Sequence, residues 1–165
     1  MLRRAGRRLS PAVALLGVLL PLTACGGSVP LPAEGAASHY DDLATELASI
    51  LAVDGTSWEL VEETRTVASS EDACLFAPGT WAPETALPVP SDDAGWDSRI
   101  ATVNSTILGY GFEQIDGVTE HGSSTVLETV DEHGATLRIT AEGEIHIEGA
   151  TVDADPCTEA TLGIA

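Results

Sequence analysis

From Phe112 to Val152 polar and apolar residues alternate, and three tripeptides ending in glycine punctuate the alternation: Glu120-His121-Gly122, Glu132-His133-Gly134 and Ala141-Glu142-Gly143. A period of two places successive side chains on opposite faces of a strand, and glycine supplies the positive φ that closes a three-residue hairpin loop. The stretch is predicted to form four short antiparallel strands in a meander. Its register follows from the apolar pattern, because a slip of one residue exchanges the two faces. A three-residue loop over 141–143 sets Ile139 opposite Ile145 and Leu137 opposite Ile147 on one face. It sets Arg138 opposite His146, and Thr140 opposite Glu144, on the other. A two-residue loop would pair Ile139 with His146 and mix the faces, so it is rejected. The same loop form in the preceding hairpin puts Glu128 across from Arg138.

Two helical patterns precede the meander. Tyr40, Leu43, Leu47, Ile50 and Leu51 recur at helical spacing behind Ser38, a suitable N-cap, and the pattern stops at Gly55. A second helix is expected from about Asp92 to Leu108, capped by Ser91, with Trp96, Ile100, Val103 and Ile107 on one stripe and Gly109 and Gly111 at its end. Between the two, residues 57–69 are rich in β-branched side chains and read as one long strand. Residues 77–90 carry Pro78, Pro83, Pro88 and Pro90 and read as an irregular surface loop. The expected architecture is α+β, α-β-α-β-β-β-β. Two helices cover one face of a mostly antiparallel sheet of about five strands, and the other face is polar and wet.

The N-terminus carries a different signal. Arg3, Arg4, Arg7 and Arg8 precede an apolar run from Ala12 to Leu20, too short to span a bilayer as a permanent helix. The run leads into Leu22-Thr23-Ala24-Cys25, a sequence that resembles the bacterial lipobox. In that motif the cysteine thiol is acylated and the leader, here residues 1–24, is cleaved. Residues 26–37 then read as a flexible tether from the acylated Cys25, spanning roughly 20 Å, and a single folded domain covers 38–165. Cleavage would remove four of the seven arginines and no acidic residue, moving the formal charge from −19 to −23. The chain has no lysine, and such a surface is repelled by phosphate backbones, which argues against a nucleic-acid partner. With Cys25 used for lipid, Cys74 and Cys157 are most simply a structural disulfide in an oxidising compartment.

The combination resembles the small LppA-type lipoproteins of actinobacteria and related small lipoproteins. The features that carry the resemblance are the lipobox at Leu22 to Cys25, a helix, a strand and Cys74 ahead of a loop bearing Trp81. A helix led by Trp96 follows, ending in Gly109-Tyr110-Gly111-Phe112, and hairpins lead on to Cys157. The resemblance is one of layout. It implies membrane attachment more than an activity, and it carries no catalytic residue across.

Chemistry is sparse. His146 lies between Glu144 and Glu148 at alternate positions of the last hairpin strand, a row that would suit a divalent cation, although Arg138 opposite it would repel one. His121 and His133 fall in turns and are expected to be exposed, while His39 begins a helix. No Gly-x-Ser-x-Gly or Ser-x-x-Lys occurs. Trp81 invites a partner or glycan contact, with the stronger expectation that it folds back over the core. The favoured reading is a non-catalytic, lipid-anchored binding or accessory module on the outer face of the cell membrane, without a cofactor, facing an envelope protein or glycan. Two alternatives stand beside it: a metal-binding or hydrolytic protein using His146 and neighbouring carboxylates, and a carrier of an apolar ligand held between helices and sheet.

Overall fold

A computed structural model describes residues 28–70 and 73–164. The expected leader, residues 1–24, and the expected acylation site Cys25 lie outside the described residues. The chain runs β1 (Leu31–Pro32), α1 (Ala36–Leu51), β2 (Trp58–Val61), a 3-10 turn (Glu62–Thr64), β3 (Thr66–Ser69), β4 (Cys74–Ala77) and β5 (Gly79–Pro83). It continues through α2 (Asp93–Ile107), a second 3-10 turn (Leu108–Tyr110), β6 (Thr119–His121), β7 (Ser124–Val130), β8 (Thr136–Thr140), β9 (Ile145–Glu148) and β10 (Ala150–Asp153). The fold is α+β, with two helices and two mostly antiparallel sheets, ordered β1-β10-β4-β3 and β2-β5-β9-β8-β7-β6.

The single sheet of about five strands expected from the sequence is thus two sheets, of four and six strands, that meet at a bend. Gly79 pairs with Ile147 in the larger sheet and Phe76 pairs with Ala150 in the smaller, so the β4–β5 and β9–β10 ribbons keep a single register across the bend. The neighbouring ribbon, β2–β3, is interrupted by Glu62–Thr64. The single strand expected over 57–69 is therefore two, one in each sheet. The stretch 77–90 also departs from expectation. Pro78 is buried at the bend, and Gly79–Pro83 forms a strand flanked by β2 and β9. Tertiary pairing overrides the proline signal because Pro78 precedes the strand and Pro83 ends it, where a missing N–H does least harm. Only the residues beyond Pro83 are irregular.

The meander register is as the apolar pattern requires. Leu137 faces Ile147, Ile139 faces Ile145, Arg138 faces His146 and Glu128 faces Arg138. The first turn alone differs. His121 pairs with Ser124, leaving Gly122-Ser123 as a two-residue turn.

Helix α1 buries Tyr40, Leu43, Ala44, Leu47 and Leu51, and α2 buries Val103 and Ile107. These meet Phe76, Leu127, Leu137, Ile139, Ile145 and Ile147 in one continuous core. The caps sit one residue or more from their expected positions. Gly35, with φ 91°, turns the chain into α1, so the helix starts at Ala36 and not behind Ser38. Asp92, not Ser91, caps α2, its Oδ1 accepting from the Gly95 amide at 2.9 Å.

The segment read as a tether is docked from Ser28 onward. Leu31 and Pro32 pair in parallel with Val152 and Asp153, and Ala36 is fully buried. Too few polar side chains here compete for water, and the free edge of β10 offers backbone partners. The Cys74–Cys157 disulfide is present, with its Cα atoms 5.4 Å apart, and closes a sequence separation of 83 residues. A loop of that length corresponds to about 4–5 kcal/mol of unfolded-chain entropy removed. Replacing both cysteines by alanine should lower the unfolding free energy by about that amount, read from urea denaturation, with the fold retained.

Candidate functional site

The outer face of the larger sheet holds the polar row singled out in the sequence. Three neighbouring strands bring Glu128, Arg138, His146 and Glu148 together. Arg138 lies between two carboxylates. Its Nε donates to Glu128, and its Nη1 donates to Glu148 Oε1 at 2.6 Å. These bonds, the one to Glu128 foremost, raise the guanidinium pKa. His146 sets Nδ1 2.9 Å from Thr80 Oγ1, and its Nε2 lies 3.4 Å from Glu144 Oε2. His121 Nε2 adds a contact to Glu128 at 3.2 Å. The row His146, Glu144 and Glu148 therefore does not converge, because Arg138 holds Glu148 and Thr80 holds one imidazole nitrogen. Among the described residues no group of three or more His, Cys, Asp or Glu side chains is placed to hold a metal ion.

Trp81 is 8% exposed and lies in β5 between Leu60 and Ile145. The ring is core, covered by the Arg65 guanidinium 5.7 Å from its centroid, and it presents no surface for a partner.

A second cluster, not anticipated from the sequence, sits where α1 begins and α2 ends. Asp131 is buried in the β7–β8 turn. Its Oδ1 accepts from the His133 and Ala135 amides at 2.9 and 2.8 Å, and its Oδ2 from the Tyr40 hydroxyl at 2.8 Å. Burial first, and then Asp131, push the Tyr40 pKa up, so the hydroxyl remains a donor. The His39 ring stands edge-on to Tyr40, Tyr110 and His133, with centroids 4.8, 5.5 and 6.1 Å away, and its Nε2 is buried with no hydrogen-bond partner among the described residues. Desolvation, then His133, lowers the His39 pKa, against smaller opposing effects of Asp131, the Tyr110 backbone and Asp42. His133 was expected to be exposed, yet its side chain is 12% accessible because Nδ1 bonds the Val29 carbonyl at 2.7 Å. Sequence spacing gave no hint of this cluster, since positions 39, 110 and 131–133 are joined only by the tertiary fold.

A third feature is an open groove of about 400 Å³ between the C-terminal end of α1 and the start of α2. Ile50, Val53, Leu87 and Val89 supply its apolar wall. Val53 and Val89 are 44% and 53% exposed. The rim is fixed by Arg99, which donates to the Pro88 and Ala141 carbonyls, both at 2.7 Å, and by the Leu87 amide bonded to the Glu142 carbonyl.

Comparison of the chain with protein families, with characterised proteins and with solved structures finds no match.

Two predictions follow from the charged groups. Removing the guanidinium by Arg138→Leu leaves Glu128 and Glu148 facing each other across β8. On this partly solvated face it should cost about 1 kcal/mol, and the loss should shrink in high salt. His39 is held below its ordinary value of 6.5 in the folded chain, so the unfolded chain takes up its proton first. Stability should therefore fall as pH drops through 6.5 and go on falling until the folded-state value is passed. In urea titrations from about pH 7.5 to about pH 5.5, His39→Gln should lose less stability than the parent.

Proposed function

We propose that this chain is a lipid-anchored cell-envelope protein of the small actinobacterial type, acting as a non-catalytic binding or accessory module on the outer face of the membrane. One observation carries the reading: the leader and Cys25 point to export, and the structure independently contains a disulfide of the kind that persists outside the reducing cytosol. The two signals arise from unrelated parts of the chain, the first from residues 22–25 and the second from Cys74 and Cys157. The ligand-facing surface is the groove walled by Ile50, Val53, Leu87 and Val89. It combines exposed apolar side chains with a rim held in place by backbone hydrogen bonds, a combination that favours recognition. An envelope protein or glycan is the partner class.

The metal or hydrolytic reading draws less support, because His146, Glu144 and Glu148 are each engaged with a neighbour. The carrier reading would require displacing Leu43, Leu47, Leu137, Ile139 and Ile145, which fill the helix–sheet interface.

Mature protein extracted from membranes should lack residues 1–24 and carry the mass of acyl chains on Cys25. Cys25→Ser should move the protein from the detergent-rich to the aqueous phase on detergent partition. An unmodified thiol in the parent would remove the anchor from this reading.

A further inference from the structure

The geometry points to a fixed orientation on the membrane. We infer that the β7–β8 turn, Glu132-His133-Gly134, is the bilayer-facing end of the molecule, and that the groove between α1 and α2 is held at the opposite end. The inference rests on the acylation of Cys25 put forward above, and deepens it.

The first described residues are not a loose leash. The Val29 amide donates to the Glu132 carbonyl at 2.9 Å, and the Val29 carbonyl meets His133 Nδ1 at 2.7 Å. Ser28 Oγ lies 3.1 Å from Thr151 Oγ1, and Leu31 and Pro32 pair with β10. Gly134 makes room for this strap. A Cβ there would lie 3.2 Å from the Ser28 Cβ, and φ at Gly134 is +83°. Ser28 is only three residues beyond Cys25. Even fully extended, three residues reach about 11 Å, while the polar headgroup layer of one leaflet is itself about 5–7 Å deep. The end of the fold that holds Ser28 and Val29 thus stands at the headgroups. Val29, 59% exposed, and Val130, 41% exposed, are apolar side chains at that end.

The rest of the fold points away from this end. Helix α1 starts near it, with His39 against His133, and its 16 residues extend about 24 Å. It ends at the groove, where Ile50 and Leu51 line the wall. Helix α2 runs the other way, from Asp92 at the groove to Gly111, which abuts Glu132. The β8–β9 turn, far along the hairpin from Glu132, carries Glu142, which bonds Leu87 of the groove rim. Anchor strap and groove therefore lie at opposite ends of α1, of α2 and of the β8–β9 hairpin, and a short lipid linkage leaves the groove open to the envelope space.

The test uses the mature acylated protein in vesicles of phosphatidylcholine and phosphatidylglycerol. With Cys25 acylated and Cys74 joined to Cys157, a cysteine introduced at Glu132→Cys or Val89→Cys is the only free thiol for a fluorophore. Lipids spin-labelled at the headgroup should quench the label at 132 several-fold more than the label at 89. Inserting a long Gly-Ser linker after Gly27 should abolish the difference while acylation, checked by intact mass, is retained. Equal quenching at both sites in acylated protein overturns the orientation and leaves the anchor standing. A difference that survives the linker overturns the short strap as its cause. An unmodified Cys25 overturns both orientation and anchor.

Discussion

The carboxylate of Asp131 is the contact on which the arrangement of elements depends. At 6% exposure it has given up most of its water, and a buried carboxylate is tolerable only when donors replace that water. Two amides of its own turn and the Tyr40 hydroxyl do so. Each donor fixes something different. The amides of His133 and Ala135 shape the turn between β7 and β8, and the turn's backbone closes with the Asp131 amide on the Ala135 carbonyl. Tyr40 sets the rotation of α1 about its axis, since the same residue must also stack near Phe76 in the core. Phe112, paired with Asp131 as an isolated bridge, brings in the exit from α2. The shaped turn then presents His133 to Val29. Both helices, the hairpin and the N-terminal strap are thus referred to one residue and its turn.

The other constraint is the corner between the sheets. A folded sheet needs a place where one strand yields, and Thr64 supplies it. Its hydroxyl donates to the Val61 carbonyl at 2.7 Å and accepts from the Thr80 amide at 2.7 Å, replacing ladder bonds lost at the bend. Gly79 opposite has φ 118°, and a Cβ there would come within 3.0 Å of Thr64 Oγ1 and 3.1 Å of Leu60 Cδ1. Arg65 then closes the corner from outside, donating to the Pro78 carbonyl at 2.8 Å and pairing with Asp41 of α1. The disulfide holds the smaller sheet from its far side, at the start of β4.

What the sequence discloses follows the range of the interactions involved. The hairpins from Ser124 to Glu148 are specified by local alternation and by glycines that must take positive φ, and their register can be read off residue by residue. The helix faces are equally local. The disulfide was legible because the remaining cysteines left a single pairing. The bend at Thr64 was not, since its cause is a pairing with Thr80 that no window of neighbouring residues contains. For the same reason Gly79–Pro83 passed as a loop: its prolines are real breakers, but they stand at the strand's margins. The His39 and Asp131 cluster was hidden more deeply. Neither residue sits in a motif, and the burial of a histidine or an aspartate is decided by what the rest of the chain packs over it.

The chain's few cations bind these features together and, in doing so, set how it behaves near a surface. From Cys25 onward it has three arginines and no lysine. Arg65 is committed to the corner, Arg99 to the groove rim and Arg138 to the outer sheet face. Each therefore works inside the fold, bonded to a carbonyl or a carboxylate, and none is left over to meet a lipid phosphate. Contact between this body and an anionic leaflet is then repulsive over about one Debye length, some 8 Å at physiological salt. A strap that brings one end within that distance makes the repulsion directional. Lying flat would bring the carboxylates along the sheet face and α1 close to the headgroups, whereas standing on the β7–β8 turn brings Glu132, 65% exposed, to them. In the orientation proposed above, an acyl group on Cys25 would supply the attraction and the strap its point of application.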